Sequence, residues 1–270
     1  MSNASSKPLV APETPADAVA VAADAKHAKW GPTAAIIISV LGYVGGSIIA
    51  GIIVYAIAAL MNKDVQESND WLKSIPGQFV FVLALESLII TTIVVFLRHR
   101  KASVRDLGFH RRPMLGDVAR ALIGFGLYFI ALIFASALAK GLLNVDIDQK
   151  QELGFDNVVD TTQKIITFIS LVVLPPIAEE FLFRGFLYTG MRKRLNFIPA
   201  TIVVSLIFAS LHLFASSEGL LWIAGIDTLL LSLVLCYLRE KTGNLWASIF
   251  VHMFKNGIAF IFLYVITTNT

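Results

Sequence analysis

Seven long apolar segments constrain this chain more than any other feature of its sequence. They lie at about residues 33–60, 77–97, 117–139, 164–188, 198–215, 219–238 and 245–267. A helix of about 20 apolar residues is long enough to cross the hydrocarbon core of a bilayer. Lipid offers the backbone no hydrogen-bonding partner, so spanning segments of this length must be helical. The sequence therefore predicts an all-α fold, a polytopic transmembrane helix bundle with about seven spans.

The overall composition supports the same fold class. Hydrophobic residues make up 56% of the 270 residues and charged residues only 15%, whereas soluble domains have roughly 45–50% and about 25%. We predict one integral membrane domain over residues 30–270. Residues 1–29 are rich in small and polar residues without helical periodicity, so we predict a disordered N-terminal tail. The lone Cys236 excludes an intrachain disulfide.

The loops between the apolar segments differ in charge on the two sides of the bundle. Three loops on one side carry the basic residues Arg98, Arg100, Lys101, Arg105, Arg111, Arg112, Arg192, Lys193, Arg194, Arg239 and Lys241. The opposite loops carry the acidic residues Asp64, Glu67, Asp70, Asp146, Asp148, Glu152, Asp156, Asp160 and Glu218. Because basic loops stay in the cytoplasm, we predict an N-in/C-out orientation. The formal net charge of +3 follows from this topology and does not indicate a nucleic-acid partner.

Ionisable residues inside the apolar segments are the second informative feature. A charged side chain at the centre of a bilayer costs at least about 2.5–3.5 kcal/mol, so it requires a partner, a cavity or a function. In the fourth segment, Glu180 and Arg184 are four residues apart and can form an ion pair on one helical face. Glu179 lacks such a partner in its own helix, which suits a general base. Pro175 and Pro176, just before it, are predicted to bend the helix.

Two further segments carry polar residues at a similar predicted depth. Phe208 and His212 share one face of the fifth segment, and His252 and Asn256 share one face of the seventh. At a rise of about 1.5 Å per residue, Glu179 and both histidines are comparably far from the basic loops. Each polar residue alone is also compatible with a structural hydrogen bond between helices. Together they favour one site that three helices form within the membrane.

Other small or polar residues in the apolar segments favour structural roles. Glu86 in the second segment and Asp227 in the sixth could line the same cavity, but we interpret both as structural partners of neighbouring helices. Gly42 and Gly46 in the first segment have the spacing that permits close contact between helices. These four residues are therefore predicted to hold the bundle together.

The ordered motifs resemble those of the CAAX protease and bacteriocin-processing (CPBP, ABI) family of intramembrane proteases, which includes type II CAAX prenyl endopeptidases. That family carries the motifs Glu-Glu-x-x-x-Arg, Phe-x-x-x-His and His-x-x-x-Asn/Asp. Here they correspond to Glu179–Arg184, Phe208–His212 and His252–Asn256. Each motif alone is weak, whereas three in order on separate segments are specific. The resemblance covers about residues 165–265.

The resemblance implies an intramembrane endopeptidase that hydrolyses peptide bonds of membrane-associated or lipidated peptides. It implies that Glu179 and His212 hold and activate a water molecule. It further implies that His252 and Asn256 stabilise the oxyanion that forms when the water attacks, because fixed donors are effective in a site of low dielectric constant. The expected partners are a peptide or lipidated protein substrate and the lipid bilayer.

The same resemblance implies that Glu180 and Arg184 orient the site. A second version of the mechanism makes Glu179, His212 and His252 ligands of Zn²⁺, with the metal lowering the pKa of the bound water. The chain has no His-Glu-x-x-His sequence, the best-known zinc protease motif. We therefore prefer the version without a cofactor and keep zinc as its alternative.

Two other functional classes remain open from the sequence. An ion- or proton-coupled transporter would also place Glu and His inside the membrane and use a helix broken by Pro175 and Pro176. No internal inverted repeat supports that class. A non-catalytic membrane immunity or scaffold protein is the third possibility. For all three classes, the expected location is the plasma membrane of a bacterium. No motif in the sequence indicates the oligomeric state.

Overall fold

The computed structural model describes residues 28–146, 149, 153–155, 158–216 and 219–266. The predicted disordered tail lies outside these residues except for Ala28 and Lys29, as do the acidic loop residues Asp148, Glu152, Asp156 and Glu218. Within the described residues the fold is all-helical. Its helices are α1 (Pro32–Leu60), α2 (Val65–Lys73), α3 (Ile75–His99), α4 (Leu115–Leu143), α5 (Thr161–Arg192), α6 (Phe197–Leu213), α7 (Trp222–Thr242) and α8 (Trp246–Ile266).

Six helices in the described part of the chain are long and apolar enough to cross a membrane, namely α1, α3, α4, α5, α7 and α8. Helix α6 is also apolar but has only 17 residues. Its length of about 25 Å falls short of a hydrocarbon core of about 30 Å. The predicted polytopic helix bundle is confirmed, with six long helices and one shorter apolar helix. The chain is an integral, multi-pass membrane protein, and its N-in/C-out orientation stays a prediction.

The connection between α1 and α3 contains a helix that the sequence analysis missed. The sequence predicts only an acidic loop there, yet the nine residues Val65–Lys73 form α2. Its start is encoded locally, because the Asp64 carboxylate accepts from the Glu67 backbone N–H and the Glu67 carboxylate accepts from that of Asp64. Hydrophobic periodicity over long windows does not detect a polar surface helix of this length.

Helix α5 occupies the centre of the bundle and packs against α1, α3, α6 and α8. In the most apolar stretch of α5, 44% of the residues are buried, against 17% in the most apolar stretch of α4. The first helix approaches α3 closely, since a Cβ added at Gly46 would lie 3.3 Å from Leu85 Cδ1 and one added at Gly42 would lie 3.8 Å from Ile89 Cα. The predicted role of the two glycines in helix packing is confirmed.

Trp30, which precedes α1, fixes the first described segment against α5. Its side chain is 1% exposed. The indole Nε1 donates to the carbonyl of Phe186 at 3.0 Å, and the two rings stack with their centroids 5.1 Å apart. Phe186 belongs to the π-helical turn Phe181–Leu187 within α5, and π-helical turns are frequent near functional sites. The same turn carries part of the first motif.

Candidate active site

Helix α5 carries the first motif where its backbone widens. Leu174–Glu180 is α-helical and Phe181–Leu187 forms the π-helical turn. The predicted ion pair is present, because Arg184 Nη1 donates to Glu180 Oε1 at 2.8 Å and both side chains are 0% exposed. A fully buried pair must have close geometry, since both charges lose their hydration. Glu180 and Arg184 therefore form the fixed base of the site.

His252 of α8 lies between the two adjacent glutamates. Its Nδ1 is 3.1 Å from Glu180 Oε1, and its Nε2 is 3.7 Å from Glu179 Oε2. An ionised carboxylate only accepts hydrogen bonds, so the ring donates to Glu180 through Nδ1. In the neutral imidazole, Nε2 is then an acceptor that faces Glu179 across a gap too long for a direct hydrogen bond. A bridging water molecule suits such a gap.

Glu179 has hydrogen-bonding capacity that the protein does not use. Its side chain is 15% exposed, and its Oε2 atom is buried without a hydrogen-bond partner. Leaving a buried polar atom unpaired costs about 1–3 kcal/mol unless water or a ligand reaches it. Its neighbour Glu180, by contrast, accepts two hydrogen bonds through Oε1 alone. Glu180 Oε2 is also unpaired, but Arg184 and His252 hold that side chain, which is 0% exposed, whereas Glu179 is 15% exposed. Glu179 is therefore the carboxylate better placed to act on a bound molecule.

Phe208 of α6 connects the three motifs. Its side chain is fully buried, and the guanidinium carbon of Arg184 lies 4.5 Å from the ring centroid. This distance is typical of a cation–π interaction. The ring centroids of His212 and His252 lie 5.0 Å and 5.9 Å from that of Phe208. One aromatic side chain therefore contacts the arginine of the first motif and both histidines.

His212, one turn after Phe208, lies at the edge of this group. Its Nδ1 is 3.2 Å from the carbonyl oxygen of Phe208. Because a carbonyl only accepts, Nδ1 carries the hydrogen and Nε2 is left as an acceptor. The ring interacts electrostatically with Glu179 and His252. The structure thus packs His212 and His252 against Phe208 and places Glu179 beside His252. The catalytic roles of these residues stay a prediction.

Asn256 makes a contact that the motif does not reveal. Its Nδ2 donates to the backbone carbonyl of Leu171 at 2.9 Å. That carbonyl would accept from residue 175 in an α-helix or from residue 176 in a π-helix, and both are prolines without an N–H. Asn256 therefore satisfies the carbonyl that Pro175 and Pro176 leave unpaired. The amide has a second N–H, which is the donor left for a substrate.

A second cluster of polar side chains comprises Tyr128 of α4, Asp227 of α7 and Lys255 of α8, of which Lys255 occupies a variable position of the third motif. The Tyr128 hydroxyl donates to Asp227 Oδ1, and Lys255 Nζ is 3.2 Å from Asp227 Oδ2. The predicted structural role of Asp227 between neighbouring helices agrees with these contacts. The sequence analysis missed Lys255, although a lysine inside an apolar segment is a visible signal of a partner or a function.

Glu86 of α3 approaches the site from another side. Its side chain is 7% exposed, and its Oε2 atom has no hydrogen-bond partner. It interacts electrostatically with Glu179, and both carboxylates interact with the hydroxyl of Tyr43. Glu86 thus lies beside the motif residues, on the α3 side of the site.

The alternative zinc ligands do not form a metal-binding group. Among the residues that the structure describes, no three His, Cys, Asp or Glu side chains are arranged to hold a metal ion. Tetrahedral zinc in proteases takes three protein ligands around one point, and Glu179, His212 and His252 do not meet that requirement here. The arrangement does not fit zinc, so the mechanism proposed for this site uses no metal.

Comparisons with known proteins agree with the motifs. A family model described as "Type II CAAX prenyl endopeptidase Rce1-like" matches residues 161–258, which include all three motifs. The chain is 26% identical over 184 residues to the "Putative membrane peptidase YdiL" of Bacillus subtilis (strain 168), a match that covers 65% of this chain and 68% of that protein. No solved structure matches the chain significantly. The predicted resemblance to the CPBP family is confirmed over this region, and the chain is similar to membrane proteases.

Proposed function

From its similarity to membrane proteases, we propose that this chain is an intramembrane endopeptidase. It activates a water molecule with Glu179. One observation carries the proposal. Glu179 Oε2 lies 3.7 Å from His252 Nε2, and this carboxylate oxygen accepts no hydrogen bond from the protein. A water molecule in this gap would meet an acceptor on each side and could donate one hydrogen to each.

The proposed reaction has two steps. Glu179 takes a proton from the water as the water oxygen attacks the carbonyl carbon of the scissile peptide bond, and a tetrahedral intermediate forms. His212, whose Nε2 is also an acceptor, can replace His252 as the acceptor of the second hydrogen of the water. The proton on Glu179 then passes through Nε2 of His252 to the leaving nitrogen, and the C–N bond breaks. The products are a carboxylic acid and an amine.

Two donors would stabilise the oxyanion of the intermediate. One is the second N–H of Asn256, and the other is Nε2–H of His252, which forms when the proton that Glu179 takes from the water passes to that ring. The Glu180 carboxylate, which accepts from Nδ1, would then stabilise the imidazolium, as a buried carboxylate does in a serine-protease triad. Arg184 holds Glu180 in place for this role. Each fixed donor of this kind increases the rate about 10²–10³-fold.

The proposed substrate is a membrane-associated or lipidated peptide, and the proposed location is the plasma membrane of a bacterium. The site lies on helices of a multi-pass membrane protein. A peptide tethered to the same bilayer reaches it at a high effective concentration without a strong binding pocket. This property favours substrates that carry a lipid or a membrane segment over freely soluble peptides.

The test compares the protein fragments in membranes from cells that produce wild type, Glu179→Gln or Asp70→Asn. Asp70 is an exposed carboxylate on α2, so Asp70→Asn is a control for the loss of one negative charge away from the site. We expect fragments generated by wild type and Asp70→Asn to be lost with Glu179→Gln, since removing a general base slows a reaction by about 10²–10⁴. Identical fragments from wild type and Glu179→Gln would rule out the proposal.

Metal content is measured on the same purified samples. With a carboxylate-activated water, we expect cleavage by wild type to persist after treatment with a chelator. Bound zinc in a one-to-one ratio, together with loss of cleavage when it is removed, would contradict that step. Water activation would then belong to a metal ion.

A further inference from the structure

A groove on the outer face of the bundle lies between α4 and α7, away from the motif residues. Its volume is about 600 Å³, which is within the range of about 300–1,000 Å³ typical of ligand sites. Apolar side chains line most of its length, among them Ile123, Leu127 and Val234, and the basic side chains of Arg120 and Lys241 lie in its lining as well. None of the described residues that line it is acidic.

Arg120, one of the two cations of the groove, shares its carboxylate partner Asp117 with a second arginine. Both oxygens of Asp117 accept from Arg111, at 2.6 Å and 2.7 Å. Arg120 lies 3.8 Å from Asp117, too far for a hydrogen bond. Lys241 is exposed, and its Nζ lies 5.7 Å from the ring centroid of Tyr237. The negative charge of Asp117 is already paired with the positive charge of Arg111, so the groove retains a surplus of positive charge.

The antiparallel arrangement of α4 and α7 explains why both cations lie together. Arg120 is in the second turn of α4 and Lys241 is in the last turn of α7. The helices are in close contact at Gly124, where an added Cβ would lie 2.9 Å from Leu238 Cδ1. Ends of spanning helices lie at the level of the lipid headgroups. The groove thus has a cationic end near the headgroups and apolar walls along the acyl chains.

We propose that this groove binds an anionic phospholipid. The phosphate would lie between Arg120 and Lys241, and one acyl chain would pack along Ile123, Leu127 and Val234. Basic pockets between spanning helices suit anionic headgroups, and each Lys or Arg near the membrane surface contributes about 1 kcal/mol to that attraction. A free phosphate would use the cations but leave the apolar walls empty. The groove shares no residue with the candidate active site, so the proposal is independent of the proposed proteolysis.

The test measures lipid binding to the purified full chain by native mass spectrometry. Phosphatidylglycerol and phosphatidylcholine with the same acyl chains are offered at equal concentration. We expect wild type to bind phosphatidylglycerol preferentially. In Lys241→Gln, the ratio of phosphatidylglycerol to phosphatidylcholine binding should fall about fivefold. Arg120→Gln/Lys241→Gln is expected to lose roughly 25-fold on the same basis. Since Lys241 is exposed, its single variant tests the proposal even where the double variant fails to fold.

Three controls sharpen the result. Arg98→Gln/Arg194→Gln removes the same charge from two exposed residues outside the groove and is expected to keep the wild-type preference. Glu179→Gln is also expected to keep it, which separates this proposal from the proteolytic one. Equal binding of the two lipids by wild type, or an unchanged preference in Lys241→Gln, would overturn the proposal. Displacement of the lipid by an equal concentration of inorganic phosphate would also overturn it, because the apolar walls would then contribute nothing.

Discussion

The motif residues and the second cluster both place charges among the spanning helices, but they differ in how those charges are matched. In the second cluster, Tyr128 and Lys255 each contact one oxygen of Asp227. In the motif region, Arg184 and His252 share a single oxygen of Glu180. The second oxygen of Glu180 and one oxygen of Glu179 are buried without partners, as are Nε and Nη2 of Arg184.

This difference separates a structural contact from a candidate site of chemistry. A matched cluster holds three helices together and offers no acceptor to a further molecule. Unpaired polar groups, such as Oε2 of Glu179, stay free for water or substrate at the cost of stability. The comparison therefore predicts that Glu179 substitutions lower activity more than stability, whereas substitutions of Asp227 lower stability more than activity.

The largest expected effect on stability comes from Arg184→Met. The substitution leaves Glu180 buried without its cation, and breaking a buried pair from one side costs about 3–5 kcal/mol. The measurement is the free energy of unfolding of the purified protein in a detergent titration. Glu180→Gln/Arg184→Met should recover part of the loss, because the remaining side chain is neutral. A loss below about 1 kcal/mol for the single variant would mean that the pair does not fix the site.

A smaller loss is expected from Asp227→Asn in the second cluster. Lys255 loses its counter-charge within the membrane, which costs about 2–3 kcal/mol. The same titration measures the change, and Asp227→Asn/Lys255→Met is the matched variant that removes both charges and restores stability. Cleavage per folded molecule should be retained in Asp227→Asn. If cleavage fell as far as in Glu179→Gln, the distinction between the two clusters would be wrong.

The smallest effect is expected from Asn256→Ala through its contact with Leu171. Losing the Asn256 donor to this part-buried carbonyl costs about 1–2 kcal/mol. In a Pro175→Ala/Pro176→Ala background the backbone can supply its own donor, so the same substitution should cost little. A double-mutant cycle on unfolding free energies measures this coupling. Equal costs in both backgrounds would show that the prolines do not create the need for Asn256.

The sequence predicts the helices well and the contacts of the site only in part. Long apolar segments locate every spanning helix to within a few residues, because that signal is strong and repeated. The pair of Glu180 and Arg184 is also predictable, since both lie on one helix at a spacing of four. The bond from His252 to Glu180 is not predictable, because it depends on the rotation and height of α8 against α5.

Two other contacts show where sequence reasoning fails. The proline pair indicates that the carbonyl of Leu171 lacks a backbone donor, but nothing in the sequence identifies Asn256 as the donor that replaces it. Similarly, Lys255 is visible as an intramembrane cation, whereas its contact with Asp227 depends on how three helices pack. In both cases the need for a partner is local, and the identity of the partner is set by tertiary structure.

The indole of Trp30 gives the site-bearing helix an optical reporter. Its ring is stacked on Phe186 and hydrogen-bonded to the same turn that carries Arg184. Emission from a shielded indole shifts to longer wavelengths when water reaches it. The chain has four tryptophans, so the difference between the spectra of wild type and Trp30→Phe isolates this signal. Loosening of the turn can thus be followed by fluorescence, without a label near the candidate catalytic residues.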